Sequence, residues 1–125
     1  MRWVLPILCA TLLLVACAPK NNDRFDTRIP PNAVLIDVRT EEEFASGYYP
    51  GAINIPHDRI LEGLSARSVG LDTPLVLYCR SGNRSSKAVA ALNAAGFLKP
   101  QNAGDLQTLL TVHQQTLVTP EEPLR

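Results

Sequence analysis

The chain carries no net charge: 12 Lys and Arg residues balance 12 Asp and Glu residues over 125 positions. That balance leaves out the basic face on which a nucleic-acid binder depends, so no nucleic-acid partner is expected. Aromatic residues make up only 6%, which obliges any core to rest on Leu, Val, Ile and Ala. Histidine is scarce. His57 and His113 are the only two, and their separation offers no metal-ligand cluster, so neither metal nor other cofactor is expected. What the chain does have is 46% hydrophobic residues, too many for a disordered polymer. Its length admits one domain of ordinary size and hardly two.

Cysteine is the next scarcity, with three in all. Two fall in the opening stretch MRWVLPILCATLLLVACAPK. There Arg2 is followed by an apolar run from Trp3 to Ala16, interrupted by Pro6 and Thr11. A bilayer-crossing helix needs about 20 apolar residues. The shorter run after a positive charge predicts an export signal in preference to an uncleaved anchor. Ala16-Cys17-Ala18 fits an ordinary signal peptidase site, but that cut would leave Pro19 first. Leu14-Val15-Ala16-Cys17 resembles instead the lipobox of bacterial lipoproteins, whose cysteine is acylated and becomes the mature terminus. The expected organisation is a lipoprotein-type signal over 1–16 and a polar, Pro-rich tether over 17–32. A domain over 33–118 and a tail over 119–125 follow. The expected location is exported and periplasmic, with Cys17 lipidated and holding the chain to a membrane.

With Cys9 in the signal and Cys17 under lipid, Cys79 stands alone and has no internal disulfide partner. A lone thiol is either a small buried hydrophobe or a reactive group. Its surroundings choose between them.

Ala33 to Val38 is an apolar run bounded by turn residues, a buried strand ending near Asp37. Thr40 and Glu43 form a capping-box pattern for a short helix through Phe44. Gly47 to Gly51 predicts a turn, and Ala52 to Ile55 a second strand. Ile60, Leu61 and Leu64 have helical spacing, and Leu75 to Tyr78 is the most apolar strand candidate. An Ala-rich helix over Ser85 to Ala95 stops at Gly96. Gly104 and Asp105 predict a turn and N-cap before a last helix over Leu106 to about Gln115. Strands alternating with short helices predict an α/β domain, a small, mostly parallel sheet with helices on both faces.

The segment LVLYCRSGNRSSKAVAAL carries the chemistry. Cys79 follows a buried strand and precedes a helix, the edge at which open α/β sheets bind ligands. A tight loop around Gly82 turns successive backbone N–H groups inward as an anion nest. The helix N-terminus adds partial positive charge, and Arg80, Arg84 and Lys87 add full charges. All favour the thiolate, which predicts an acidified, nucleophilic Cys79.

These residues resemble the single-domain rhodaneses, thiosulfate:thiol sulfurtransferases. IDVRTEEEF at Ile36 to Phe44, GYYPGAINIP at Gly47 to Pro56 and YCRSGNRS at Tyr78 to Ser85 match three motifs of that family, in order and at its spacing. The likeness covers roughly Ala33 to Leu110. Small size, the export signal and NAG at Asn102 to Gly104 are similar to the periplasmic phage-shock rhodaneses in particular. Tyr48 stands where the family usually has His, Asp105 replaces a common second Gly, and Pro100 shortens the last strand.

The resemblance implies the rhodanese fold and transfer of a sulfane sulfur, from thiosulfate or a similar donor to a small-molecule or protein thiol, through a persulfide on Cys79. Ser81, Gly82, Asn83, Arg84 and Ser85, with Arg80 at the mouth, would form the anion cradle, Arg84 holding the sulfonate end. Asp37 either orients Arg84 or the loop backbone, or forms an ion pair with Arg39 within their own turn. Ser85 is either an anion donor or a helix cap. Related phosphatases and arsenate reductases place five residues between cysteine and arginine, whereas here four intervene between Cys79 and Arg84. The smaller cradle suits one sulfane sulfur better than a tetrahedral phosphate. A third alternative is a non-enzymatic sulfide-sensing or partner-binding module, which would have no use for the nucleophile.

Overall fold

The computed structural model describes residues 24–120; the predicted signal, Cys17 and the last five residues of the predicted tail lie outside them. Four strands form one parallel sheet in the order β2-β1-β3-β4: β1 Val34–Asp37, β2 Ile53–Asn54, β3 Leu75–Cys79 and β4 Pro100–Asp105. Between and after them come α1 Glu41–Ala45, α2 Ile60–Ala66 behind a 3-10 turn over His57–Arg59, α3 Asn83–Ala94 and α4 Leu106–Val112. The expected α/β architecture is the observed one.

β3 is buried at all five residues, because helices cover both faces of this central strand. Side chains alternate across it. Leu75, Leu77 and Cys79 point into a cluster with Ile60, Leu64, Ala88 and Leu92, from α2 and α3. Val76 and Tyr78 point the other way, towards Leu109 and Leu110 of α4. Cys79 therefore ends the strand on the α3 face. The inward stripe of α3 is Ser85, Ala88 and Leu92 at helical spacing, the first two of them small.

Several boundaries differ from the predicted ones. Cys79 is the last residue of β3, not the first beyond it. α3 starts at Asn83 with Gly82 as N-cap, so Ser85 lies inside the first turn and is not the cap. The cap needs a left-handed residue here, φ +86°, which glycine supplies and serine does not. Gly104, predicted as a turn, lies within β4, where a register shift opposite Leu77/Tyr78 inserts Ala103 as a bulge. Asp105 does cap α4, accepting from the Thr108 N–H at 2.8 Å. Leu61, grouped with Ile60 and Leu64 by spacing, is exposed instead.

Within the expected tether over 17–32, Phe25 to Ile29 lie against the domain. The Asp26 N–H donates to the Asn102 carbonyl at 2.8 Å, and the Gln101 side chain donates to the carbonyls of Asp26 and Arg28. A His113 ring nitrogen meets the Thr27 carbonyl at 2.7 Å. These bonds cover part of the open edge of β4, a need that composition alone does not display. Tyr48 stacks on Phe44, ring centroids 4.0 Å apart, and pairs with Val118 through a single antiparallel bridge.

Candidate active site

The loop from Cys79 to Ser85 is set by one strand end and one helix start. β3 stops at Cys79, and the left-handed Gly82 reverses the chain into α3. The Gly82 N–H then donates to Cys79 Sγ at 3.0 Å. The Ser85 hydroxyl lies 3.5 Å from the same sulfur. Burial pushes the Cys79 thiol up, but the Ser85 hydroxyl and the backbone amides of Ser85, Ser81 and Gly82 outweigh it, and the net displacement is downward. This is the anion nest that the sequence predicted, focused on a sulfur only 1% exposed.

The two carboxylate–arginine pairs are arranged differently from the first of the two readings of Asp37. Asp37 does not touch Arg84. It holds Arg39 in a two-pronged ion pair, at 2.9 Å from Nε and 2.6 Å from a terminal nitrogen, and also accepts from the Arg39 backbone N–H at 3.0 Å. Asp37 is fully buried and Arg39 nearly so. Arg39 passes a further hydrogen bond to the Gly47 carbonyl at 2.7 Å, so the pair braces the turn between α1 and β2. The reading as an ion pair within their own turn is the observed one, and its role at the sulfur is at most indirect.

Arg84 belongs to Glu43. Its two terminal nitrogens donate to the two Glu43 oxygens at 2.6 and 2.9 Å, with about a quarter of each side chain exposed. Glu43 also completes the predicted capping box with Thr40. Hydrogen bonding from Arg84 holds its carboxyl at about 2, against the opposing pull of partial burial. The capping box was readable in the sequence; a partner 41 residues away was not.

Arg80 is exposed and takes part in no ion pair among the described residues. It borders a cleft of about 250 Å³ walled by Glu43, Arg39, Leu106 and Leu110. Ser81, Asn83 and Lys87 are exposed around the loop. Ser85 is wholly buried, and its hydroxyl donates to Asn102 Oδ1 at 2.7 Å.

Two residues of the site were not assigned to it from the sequence. Asn102, on β4, donates from Nδ2 to the Gly82 carbonyl at 3.1 Å and accepts at Oδ1 from the Gly104 N–H at 2.9 Å. The NAG sequence at Asn102 to Gly104 was the available signal. Phe25 lies over Gly82 and Gly104, so close that a Cβ at Gly104 would sit 2.9 Å from its ring. Both glycines have φ above +80°, and here the missing side chain is required twice over.

Comparison with known proteins agrees with this geometry. The rhodanese-like domain family matches residues 21–106. A thiosulfate sulfurtransferase GlpE of Pseudomonas syringae pv. syringae is 37% identical over 79 residues, 56% of this chain and 73% of that protein. A sulfurtransferase of Allochromatium vinosum is 33% identical over 90 residues, 72% of this chain and 82% of its own length. Among solved structures, a rhodanese with anions from E. coli superposes with a TM-score of 0.62 at 28% identity, over 70% of this chain and 98% of that one. A human single-domain sulfurtransferase gives 0.55 at 30% identity, over 64% and 82%. The family match runs from before β1 to the first residue of α4, and on that extent the protein belongs to the rhodanese-like domain family.

Proposed function

We propose that the protein is a thiosulfate sulfurtransferase that works through a persulfide on Cys79. The observation that carries this reading is the placement of a single thiol at the focus of the loop amides, with its acidity raised against the effect of burial. The Cys79 thiolate attacks the outer sulfur of thiosulfate. The S–S bond of the donor breaks, and sulfite leaves with the electron pair. The product is a Cys79 persulfide anion, whose terminal sulfur the loop N–H groups stabilise. An acceptor thiolate then attacks that terminal sulfur and leaves with it, returning Cys79 as thiolate. No proton donor is required at either displacement. Arg80, free at the cleft, attracts the dianionic donor, while Arg84 enters already balanced by Glu43.

Four residues between Cys79 and Arg84 support sulfur transfer over phosphate chemistry. Intact mass decides between them: the protein should gain one sulfur on exposure to thiosulfate and lose it to cyanide. Cys79→Ser should abolish both the gain and the turnover. Turnover surviving that change would remove Cys79 as nucleophile.

We also propose that the chain is an exported, periplasmic lipoprotein of the phage-shock kind, anchored through Cys17. The apolar run after Arg2 and the Leu14-Val15-Ala16-Cys17 sequence support it. Acyl chains contribute roughly 0.8 kcal/mol per buried methylene, so a multiply acylated terminus holds firmly where one chain does not. Cys17→Ala should abolish labelling by palmitate and release the domain from membranes. An unlabelled soluble wild type would leave a secreted rhodanese without an anchor.

A further inference from the structure

Asn102 sits where it decides which way the Ser85 hydroxyl points. Its amide has only one sensible orientation, because the Gly82 carbonyl needs a donor and receives Nδ2 at 3.1 Å, while the Gly104 N–H needs an acceptor and finds Oδ1 at 2.9 Å. Oδ1 therefore faces Ser85 Oγ, 2.7 Å away. Two oxygens at that distance must share a proton, and only serine has one to give. The Ser85 proton thus lies towards Asn102, and the Cys79 sulfur at 3.5 Å faces the lone pairs of the hydroxyl. A thiol can donate to those lone pairs. A thiolate cannot, and is served only if the hydroxyl turns round and gives up Asn102.

We propose that Asn102 is a positioning residue that competes with the Cys79 sulfur for the single proton of Ser85. This inference rests on Cys79 being the reacting thiol. While Cys79 is protonated the chain of donors runs from its S–H to Ser85 to Asn102. When the sulfur becomes negative the hydroxyl rotates to donate to it, and Oδ1 keeps the Gly104 N–H as its remaining partner, so no buried atom is orphaned. No bond is made or broken in this step.

Other groups around the sulfur do not provide this switch. Arg80 and Lys87 are exposed, Arg24 is exposed beside Phe25 at a separate hollow over Gly82 and Asn102, and Asp105, opposite Cys79 on β4, is engaged by Thr108. The Asp37–Arg39 and Glu43–Arg84 pairs are closed on themselves.

The test is the pH dependence of Cys79 alkylation by iodoacetamide in the full-length protein, followed by mass spectrometry of the peptide that contains Cys79. Asn102→Leu removes the competing acceptor and should lower the midpoint by about half to one pH unit, the worth of one ordinary hydrogen bond. Ser85→Ala alone should raise it by less than that, and Asn102→Leu should have no further effect in the Ser85→Ala background. A rise in midpoint for Asn102→Leu would overturn the proposal, since it would mean that Asn102 acts only by anchoring the loop amides. So would an equal shift with and without Ser85. If Asn102→Leu does not fold, Ser85→Ala still decides: a rise of a full unit or more would place the Ser85 proton on sulfur from the start. None of these readings uses sulfur-transfer activity, so loss of the proposed reaction and loss of the switch are separate results.

Discussion

Exchange of Glu43 for Gln isolates one long-range bond of the site, because glutamine can keep the capping box while losing the charge. Glu43 in the folded protein titrates at about 2 in place of 4.5, chiefly because Arg84 donates to both its oxygens, with partial burial opposing and the Thr40 amide adding to the effect. A folded value below the unfolded one means that stability is fully present above pH 4.5 and is lost as the pH falls towards 2. Taken whole, that displacement corresponds to at most ~3.4 kcal/mol. A quarter of each side chain is open to solvent, and screening reduces the expected contribution to about 1–2 kcal/mol. Urea unfolding at pH 7 should therefore show Glu43→Gln less stable than wild type by about 1–2 kcal/mol. Near pH 2 the two proteins should converge, since wild-type Glu43 is by then substantially protonated. Every other carboxylate titrates alike in both chains and cancels in the difference. A gap that stays constant from pH 7 to pH 2 would refute the charge argument and point to packing of the longer-range helix contact.

Arg84→Ala should raise the thiosulfate KM and slow persulfide formation, each by about tenfold, because it uncovers the Glu43 carboxylate beside the donor site as well as removing a cation. Steady-state and single-turnover kinetics read the two effects, and adding Glu43→Gln to Arg84→Ala should restore part of the loss. Arg80→Ala should raise KM with kcat little changed, as expected for a group that attracts the donor without touching the displaced sulfur. Gly104→Ala should cost about 1–3 kcal/mol by thermal or urea unfolding, from its positive φ together with a Cβ forced against the Phe25 ring. Phe25→Ala in that background should recover the steric share alone; full recovery would deny any backbone strain.

The first three strands, the order of motifs and the nest around Cys79 were legible in the sequence because each depends on near neighbours: an apolar run, a glycine, a helix start; the polar β4, with Gly104 inside it, was not. The capping box of Thr40 and Glu43 was legible for the same reason, its members being three residues apart. What escaped was set by parts of the chain that meet only in the fold. Glu43 reaches Arg84 because β1 and β3 lie side by side and bring α1 to the start of α3. Asn102 reaches Ser85 because β4 is the other neighbour of β3 and carries a bulge there. The contacts of Phe25 to Ile29 with the domain were hidden by composition, since a polar, Pro-rich stretch resembles a linker whether or not it meets a sheet edge. Ser85 was open to two readings because hydroxyl residues favour both caps and buried bonds; the left-handed turn at Gly82 removed the capping role.

The electrostatics of the loop follow from these pairings. Arg39 is paired with Asp37 and Arg84 with Glu43, and the groups in contact with the Cys79 sulfur are the Gly82 N–H and the Ser85 hydroxyl. That suits a sulfur carrier. The proposed cycle presents a thiolate, then a persulfide anion, then a thiolate again, so the site's charge requirement alters little while the sulfur's position changes by one bond. Fixed N–H groups stabilise each of these anions without reorganising between them. An unpaired guanidinium at hydrogen-bond distance would bind the persulfide more tightly than the thiolate's attack requires and would slow its surrender to the acceptor. In the proposed cycle the exposed Arg80 at the cleft attracts the donor while Arg84 is balanced by Glu43, so capture of the donor is separated from release of the sulfur.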